Sequence, residues 1–359
     1  MKRILFTVCM LLGCVLFTMA QEDSYKIEGK LGNTVNGKLL LVANTDKGML
    51  DIGEATVTNG EFEFTGRMPE VTLVYLMPMK KNALLAALML ENAHYTITMG
   101  TNELVVEGGG EAQKIWREFN DLDKSLAQKR QQIQAQVQMN PSQEAGLQRE
   151  FKKIVDKADA EELALLKKYN NSFVAAYVVA AGMRQLELEV LKARYGILSD
   201  AAKETVPGRA VEAFIEELEK LTEGELAPDF TVVSPQGDSL SLHPLKAKAK
   251  LIHFWTSGNN ACRENNVELL DIYQKYHLKG LEIISVSRDQ DRSNWLKAVN
   301  EDGMVWKHGI DGNAVVFQRY HVLSVPYTIL LNEENEIVGK NLSTAALKNK
   351  LAELLKKKK

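Results

Sequence analysis

The chain has 359 residues, a quarter of them charged, with 44 Lys and Arg against 47 Asp and Glu and a formal net charge of −3. That length allows two or three packed domains, and the charge balance excludes the basic surface that nucleic-acid binding requires. The three cysteines, Cys9, Cys14 and Cys262, are too few and too unevenly placed for a disulfide framework.

Residues 1–20, MKRILFTVCMLLGCVLFTMA, begin with Lys2 and Arg3, continue as an apolar run and end on small Ala20. This is the pattern of an export signal cut before Gln21, and it predicts a periplasmic or cell-envelope protein with no stable membrane span once the signal is removed. A retained anchor and a lipid on Cys14 are the alternatives. Removal leaves 42 basic residues against 47 acidic, a net charge of −5, with Cys262 as the sole thiol.

Residues 21–108 read as strands, with apolar runs at Tyr25–Leu31, Lys38–Ala43, Thr72–Met77 and His94–Met99. Asn59-Gly60 is a strong two-residue hairpin signal. It would set Thr58 opposite Glu61, Val57 opposite Phe62 and Ala55 opposite Phe64, with the apolar residues on one face. Short strands with short turns between them predict a small antiparallel β-sandwich. His94 is expected as a surface histidine or one with a satisfied hydrogen bond.

Residues 109–222 change to helical periodicity. Ile115, Phe119, Leu122, Leu126, Ile133 and Val137 step by threes and fours. Asn140 and Pro141 are expected to cap and restart a second helix, whose stripe runs through Leu147, Phe151, Ile154, Ala158 and Leu165. Asn171-Ser172 would cap a short apolar helix from Phe173, and Pro207–Leu221 a final amphipathic one. Such a module either spaces the flanking domains or serves partner docking and self-association through its long helices.

Residues 223–359 alternate strand and helix. Leu251–Trp255 and Leu281–Val286 are continuous apolar runs, as central parallel strands require. Ala261–Tyr276, Arg292–Val299, Ala314–Tyr320 and Thr344–Lys356 are the helical pieces. Several motifs occur in order: Ala227-Pro228-Asp229-Phe230, the turn at Pro235-Gln236-Gly237, Phe254-Trp255, Gly280-Leu281-Glu282 followed by Val286-Ser287 and Asp289, then Trp295, Trp306, Tyr320 and Val325-Pro326. This stretch resembles the periplasmic thioredoxin-like redoxins of the TlpA/ResA type, within the AhpC/TSA superfamily. The resemblance implies an α/β thioredoxin-like fold, thiol–disulfide oxidoreductase ancestry and a cis-proline at Pro326. It also implies that the sandwich and helical stretch are an N-terminal arrangement of unassigned function found before many such domains.

Where that family carries W-C-G-P-C, this chain reads Gly258-Asn259-Asn260-Ala261-Cys262. Asn259 stands in place of the first cysteine, Ala261 in place of the proline, and Asn265 in place of a family glutamate. Dithiol exchange needs a second thiol to resolve the mixed disulfide formed by the first, so the cycle cannot close within this chain. Cys262 is expected one turn inside the helix, facing the core. Arg263 is expected as a solvated residue at the helix start and His253 as a hydrogen-bonded core residue. His321 lies beside the expected cis-proline.

The expectation is therefore an exported thioredoxin-like protein that binds a protein or peptide of the envelope. The groove would be lined by Trp255, Asn259, Asn260, Val325 and Pro326, with no cofactor and no metal. Thioredoxin folds hold extended peptides by main-chain hydrogen bonds, which need no cysteine. The alternative is a monothiol oxidoreductase acting through Cys262, with the resolving thiol supplied from outside.

Overall fold

The structure, a computed structural model, describes residues 23–356 apart from 33, 34, 46, 81, 82 and 102. The expected export signal lies outside the described residues. Two compact units divide the chain: residues up to Ala176 with Leu198–Ala202 form the first, and Tyr177–Ile197 with Lys203–Lys359 the second. The helical stretch expected as one module is thus shared between them.

The first unit begins with eight strands: β1 (Tyr25–Lys30), β2 (Gly37–Thr45), β3 (Gly48–Val57), β4 (Glu61–Gly66), β5 (Thr72–Pro78), β6 (Ala86–Leu90), β7 (His94–Met99) and β8 (Leu104–Gly108). They form two four-stranded sheets, in the orders β4-β1-β7-β8 and β3-β2-β5-β6. Period-two alternation supplies the core. Tyr25, Ile27, Phe62, Phe64, Tyr95 and Ile97 of one sheet meet Leu41, Val74, Leu76, Leu88 and Leu90 of the other in one buried cluster.

The Asn59-Gly60 turn forms as expected, with Thr58 and Glu61 exchanging both backbone hydrogen bonds at 3.0 Å. The ladder expected beyond it does not. β3 pairs with β2, and β4 pairs with β1. The turn is a corner between the two sheets, and Val57 and Phe62 belong to the same core from opposite layers. Gly60 has φ +82°, and a Cβ there would lie 2.1 Å from the Gly32 carbonyl oxygen, so the corner admits only glycine. His94 is an exposed strand residue bonded to Glu28 at 2.8 Å, as its position suggested.

Helices α1 (Glu111–Met139) and α2 (Glu144–Lys168) follow as a hairpin. The Glu91 carboxylate accepts the Ala112 N–H at 2.8 Å, and the Gln113 side chain accepts the Met89 N–H at 2.8 Å, which joins α1 to the sandwich. Asn140 ends α1 rather than capping the next helix, and one 3₁₀ turn intervenes before α2. Ser172 does cap α3 (Phe173–Gly182), accepting from Ala175 N–H at 3.1 Å.

The second unit adds α4 (Leu188–Ile197), α5 (Asp200–Lys203, its last residue only) and α6 (Val206–Glu219), then strands β9 (Thr231–Val233), β10 (Ser239–Ser241) and β11 (Ala249–Trp255). After these come α7 (Asn260–Tyr276), β12 (Leu281–Ser287), α8 (Arg292–Glu301), β13 (Lys307–Ile310), α9 (Val315–Arg319), β14 (Tyr327–Leu331), β15 (Ile337–Lys340) and α10 (Thr344–Leu354). Helices α4 and α5 and strand β13 were not anticipated.

The sheet order is β10-β9-β13-β12-β11-β14-β15, with β11, β12 and β13 parallel. All seven residues of β11 are buried, because both faces of this central strand are covered. Leu251 and Trp255 face a core built with Cys262, Leu269 and Ile272 of α7, Trp295 of α8 and Leu351 of α10. Phe254, on the other face, meets Phe317 at 5.0 Å and Tyr320 at 5.6 Å between ring centroids.

Candidate functional site

Asn259, Asn260, Val325 and Pro326 converge at one end of this sheet because of strand pairing. β11 runs out at Trp255 and hands the chain to a four-residue loop, residues 256–259, before α7. β14 runs antiparallel to β11 with Tyr327 opposite Phe254, so Pro326 lies beside the end of β11. The Val325-Pro326 bond is cis, as the resemblance implied. Val325 and Pro326 are half-buried, Asn260 is exposed and Asn259 is half-buried.

Asn259 is the N-cap of α7. Its backbone is extended (φ −107°, ψ 117°), and its side-chain oxygen accepts the Cys262 N–H at 3.2 Å. This satisfies one of the donors that a helix start leaves unpaired. Cys262 is the only cysteine among the described residues, and it is fully buried. Burial pushes its thiol pKa up. The Asp289 carboxylate acts in the same direction, and a backbone hydrogen bond from Thr256 and the charge of Arg288 offset this only in part. A thiol that is protonated and inaccessible is a poor nucleophile.

Trp255 departs from expectation. Its place before the loop predicts a groove residue, but it is fully buried and packs with Cys262 and Trp295. Arg263 also departs. It is not a solvated residue at the helix start, because its guanidinium grips Asp302 through two contacts of 2.6 Å and reaches Glu301 at 3.1 Å. The Asn266 amide donates to the same Asp302 at 2.7 Å. Together they fasten α7 to the end of α8, and the paired carboxylates raise the pKa of Arg263 further.

The loop itself is held by a residue that sequence reasoning left as a motif letter. The Asp289 carboxylate accepts from Thr256 Oγ1 at 2.8 Å, Ser257 N–H at 3.0 Å, Ser257 Oγ at 2.9 Å and Ser287 Oγ at 2.6 Å. The pairing of Trp255 with Ser287 places the ends of β11 and β12 side by side, which brings the Asp289 carboxylate to the hydroxyls of Thr256 and Ser257. An aspartate two residues beyond one parallel strand, facing two hydroxyls beyond its neighbour, was the available signal.

His253 is the core histidine expected. It is fully buried, and its Nδ1 lies 3.0 Å from Ser285 Oγ, which also accepts from Trp306 Nε1 at 2.7 Å. Burial lowers its pKa to about 3, with the neighbouring His308 adding to the shift, and burial lowers that of His308 to about 4. Among the described residues no group of three or more His, Cys, Asp or Glu can hold a metal ion, and no helix is long and apolar enough to cross a membrane.

Comparison with known proteins agrees with this architecture. Residues 222–355 match the redoxin family, and residues 25–115 match a domain of unknown function, DUF4369. The chain is a TlpA/ResA-like thioredoxin-fold protein with an N-terminal DUF4369 domain. Its redoxin domain is 28% identical over 127 residues to the thiol-disulfide oxidoreductase ResA of Bacillus anthracis, covering 35% of this chain and 73% of the relative. It is 25% identical over 120 residues to ResA of Bacillus subtilis, covering 33% of this chain and 67% of that protein. The thioredoxin domain of a thiol-disulfide oxidoreductase from Bacteroides vulgatus is 32% identical, with a TM-score of 0.36, covering 37% of this chain and 98% of that one.

Proposed function

We propose that this redoxin is exported to the cell envelope and works there by binding, holding an extended segment of a protein or peptide. The segment would lie along Asn259, Asn260, Val325 and Pro326, without dithiol exchange. The observation that carries this reading is the state of the former redox turn. An asparagine caps the helix where the attacking thiol would stand, and the one remaining sulfur is buried behind it with its pKa pushed up. The backbone edge beside a proline can pair with an extended chain whatever the loop carries. The relatives' name, thiol-disulfide oxidoreductase, favours a second reading in which Cys262 forms a mixed disulfide and an external thiol resolves it.

The two readings differ in the reactivity of Cys262. A chain starting at Gln21 is treated with a chromogenic disulfide reagent across pH, folded and in denaturant. Binding predicts labelling at least about a hundredfold slower in the folded protein, because the thiol reacts only through opening events and each 1.4 kcal/mol of opening free energy slows it tenfold. Folded-state labelling as fast as in denaturant would favour the monothiol enzyme.

A further inference from the structure

The chain leading into the cis-proline is already contacted from within its own unit. Between α3 and α4 the chain makes a 3₁₀ turn at Met183–Gln185 and then straightens, with Leu186 at φ −105° and ψ 141°. The Leu186 carbonyl accepts a hydrogen bond from His321 Nε2 at 2.9 Å. The His321 backbone is left-handed at φ +49°, a conformation non-glycine residues seldom adopt. Its ring stands edge-on to Phe214 of α6 at 5.4 Å, and Arg184 covers the Phe214 ring at 5.2 Å. Glu187, the next residue, lies close enough to Tyr327 for its charge to add to the burial that raises the phenol pKa. The Leu186 carbonyl therefore contacts a residue five positions before Pro326, and the Glu187 charge acts on the phenol one position after it. Leu323 and Ser324 between them stay exposed.

We infer that the Leu186–Glu187 stretch, extended at Leu186 just before α4, is an internal competitor for the cis-proline edge, which an incoming peptide must displace from His321 to bind fully. The inference rests on the binding reading above and adds to it a built-in brake. An extended backbone carbonyl held by a side-chain donor beside the cis-proline is the kind of contact a bound peptide would make there. The net worth of one hydrogen bond is modest, so the brake lowers apparent affinity roughly two- to tenfold, in proportion to the closed population.

The test uses the chain from Gln21 with fluorescently labelled, reduced and carboxymethylated lactalbumin, an unfolded and thiol-free polypeptide, read by anisotropy. The double variant Leu186→Gly, Glu187→Gly loosens the stretch while leaving His321 free to donate, and it is expected to bind the probe two- to tenfold more tightly than wild type. Equal or weaker binding by this variant, with wild type binding normally, overturns the brake and leaves the groove reading standing. No binding by either protein overturns both. Hydrogen exchange on the wild type is a second measurement that needs no variant. Saturating probe should speed exchange at residues 183–188, and slowed exchange there would make the stretch a wall of the groove, contrary to the proposal.

Discussion

Replacing Asn259 by cysteine is expected to create an intramolecular disulfide with Cys262 and a measurable disulfide reductase. Position 259 is the N-cap, three residues before Cys262, with its side chain already reaching the Cys262 backbone. N-cap and third-residue side chains lie within the reach of a disulfide. The new thiol would meet the unpaired N–H groups and positive dipole end of α7, which favour thiolate. Loss of the asparagine cap costs about 1 kcal/mol, too little to unfold the domain. Insulin reduction should therefore rise at least about tenfold above the background of the unmodified chain. It should stay below that of an intact redoxin, because Ala261 and Asn265 remain as they are. Mass spectrometry of the oxidised variant checks the geometry, and intermolecular dimers alone would show that the loop does not hold position 259 against Cys262.

The second large effect is acid destabilisation from the buried histidines. His253 and His308 have folded pKa values of about 3 and about 4, against an ordinary 6.5. A depressed folded pKa means that below pH 6.5 the unfolded chain takes up a proton that the folded chain refuses. Their stabilisation is complete above pH 6.5 and is lost as pH falls toward 4. At 1.36 kcal/mol per unit, His308 alone accounts for about 3 kcal/mol over that window, and His253 adds to it through a shared interior. Urea midpoints at pH 7.5 and 5.0 measure the loss. A His308→Gln variant should lose about half as much stability between those two values, because His253 still refuses its proton in the folded state. An unchanged pH slope in that variant would contradict the assignment. The carboxylates with lowered pKa values, Glu28, Glu118 and Asp291, act below their ordinary range and so leave the upper part of the window to the histidines.

Much of this was legible in the sequence, and the gaps have physical causes. The continuous apolar runs of β11 and β12 and the Asn59-Gly60 turn are local signals, and both appear where expected; the cis-proline came from the family resemblance and is also present. The partners of β3 and β4 were not legible. Val57 and Phe62 alternate with polar residues in the same way whether they face each other within a sheet or across a sandwich. β13 escaped notice because Lys307-His308-Gly309-Ile310 has little apolar character. Its buried positions are a histidine bonded to the Met304 carbonyl and a glycine against which Val232 packs, with a Cβ there only 2.0 Å from the valine. At the site, the burial of Cys262 matches its expected place one turn inside the helix, facing the core. The Asp289 clamp and the Leu186–His321 contact join residues 32 to 135 positions apart, and no periodicity reports such pairs.

The most direct test of the central claim is catalytic turnover by the unmodified protein. The chain from Gln21, fully reduced, is assayed for insulin disulfide reduction beside its Cys262→Ser variant, with glutathione present to serve as an external resolving thiol. A binding protein gives the same rate in both, equal to that of glutathione alone. Multiple turnovers that disappear with Cys262→Ser would establish Cys262 as a working nucleophile and contradict the binding account.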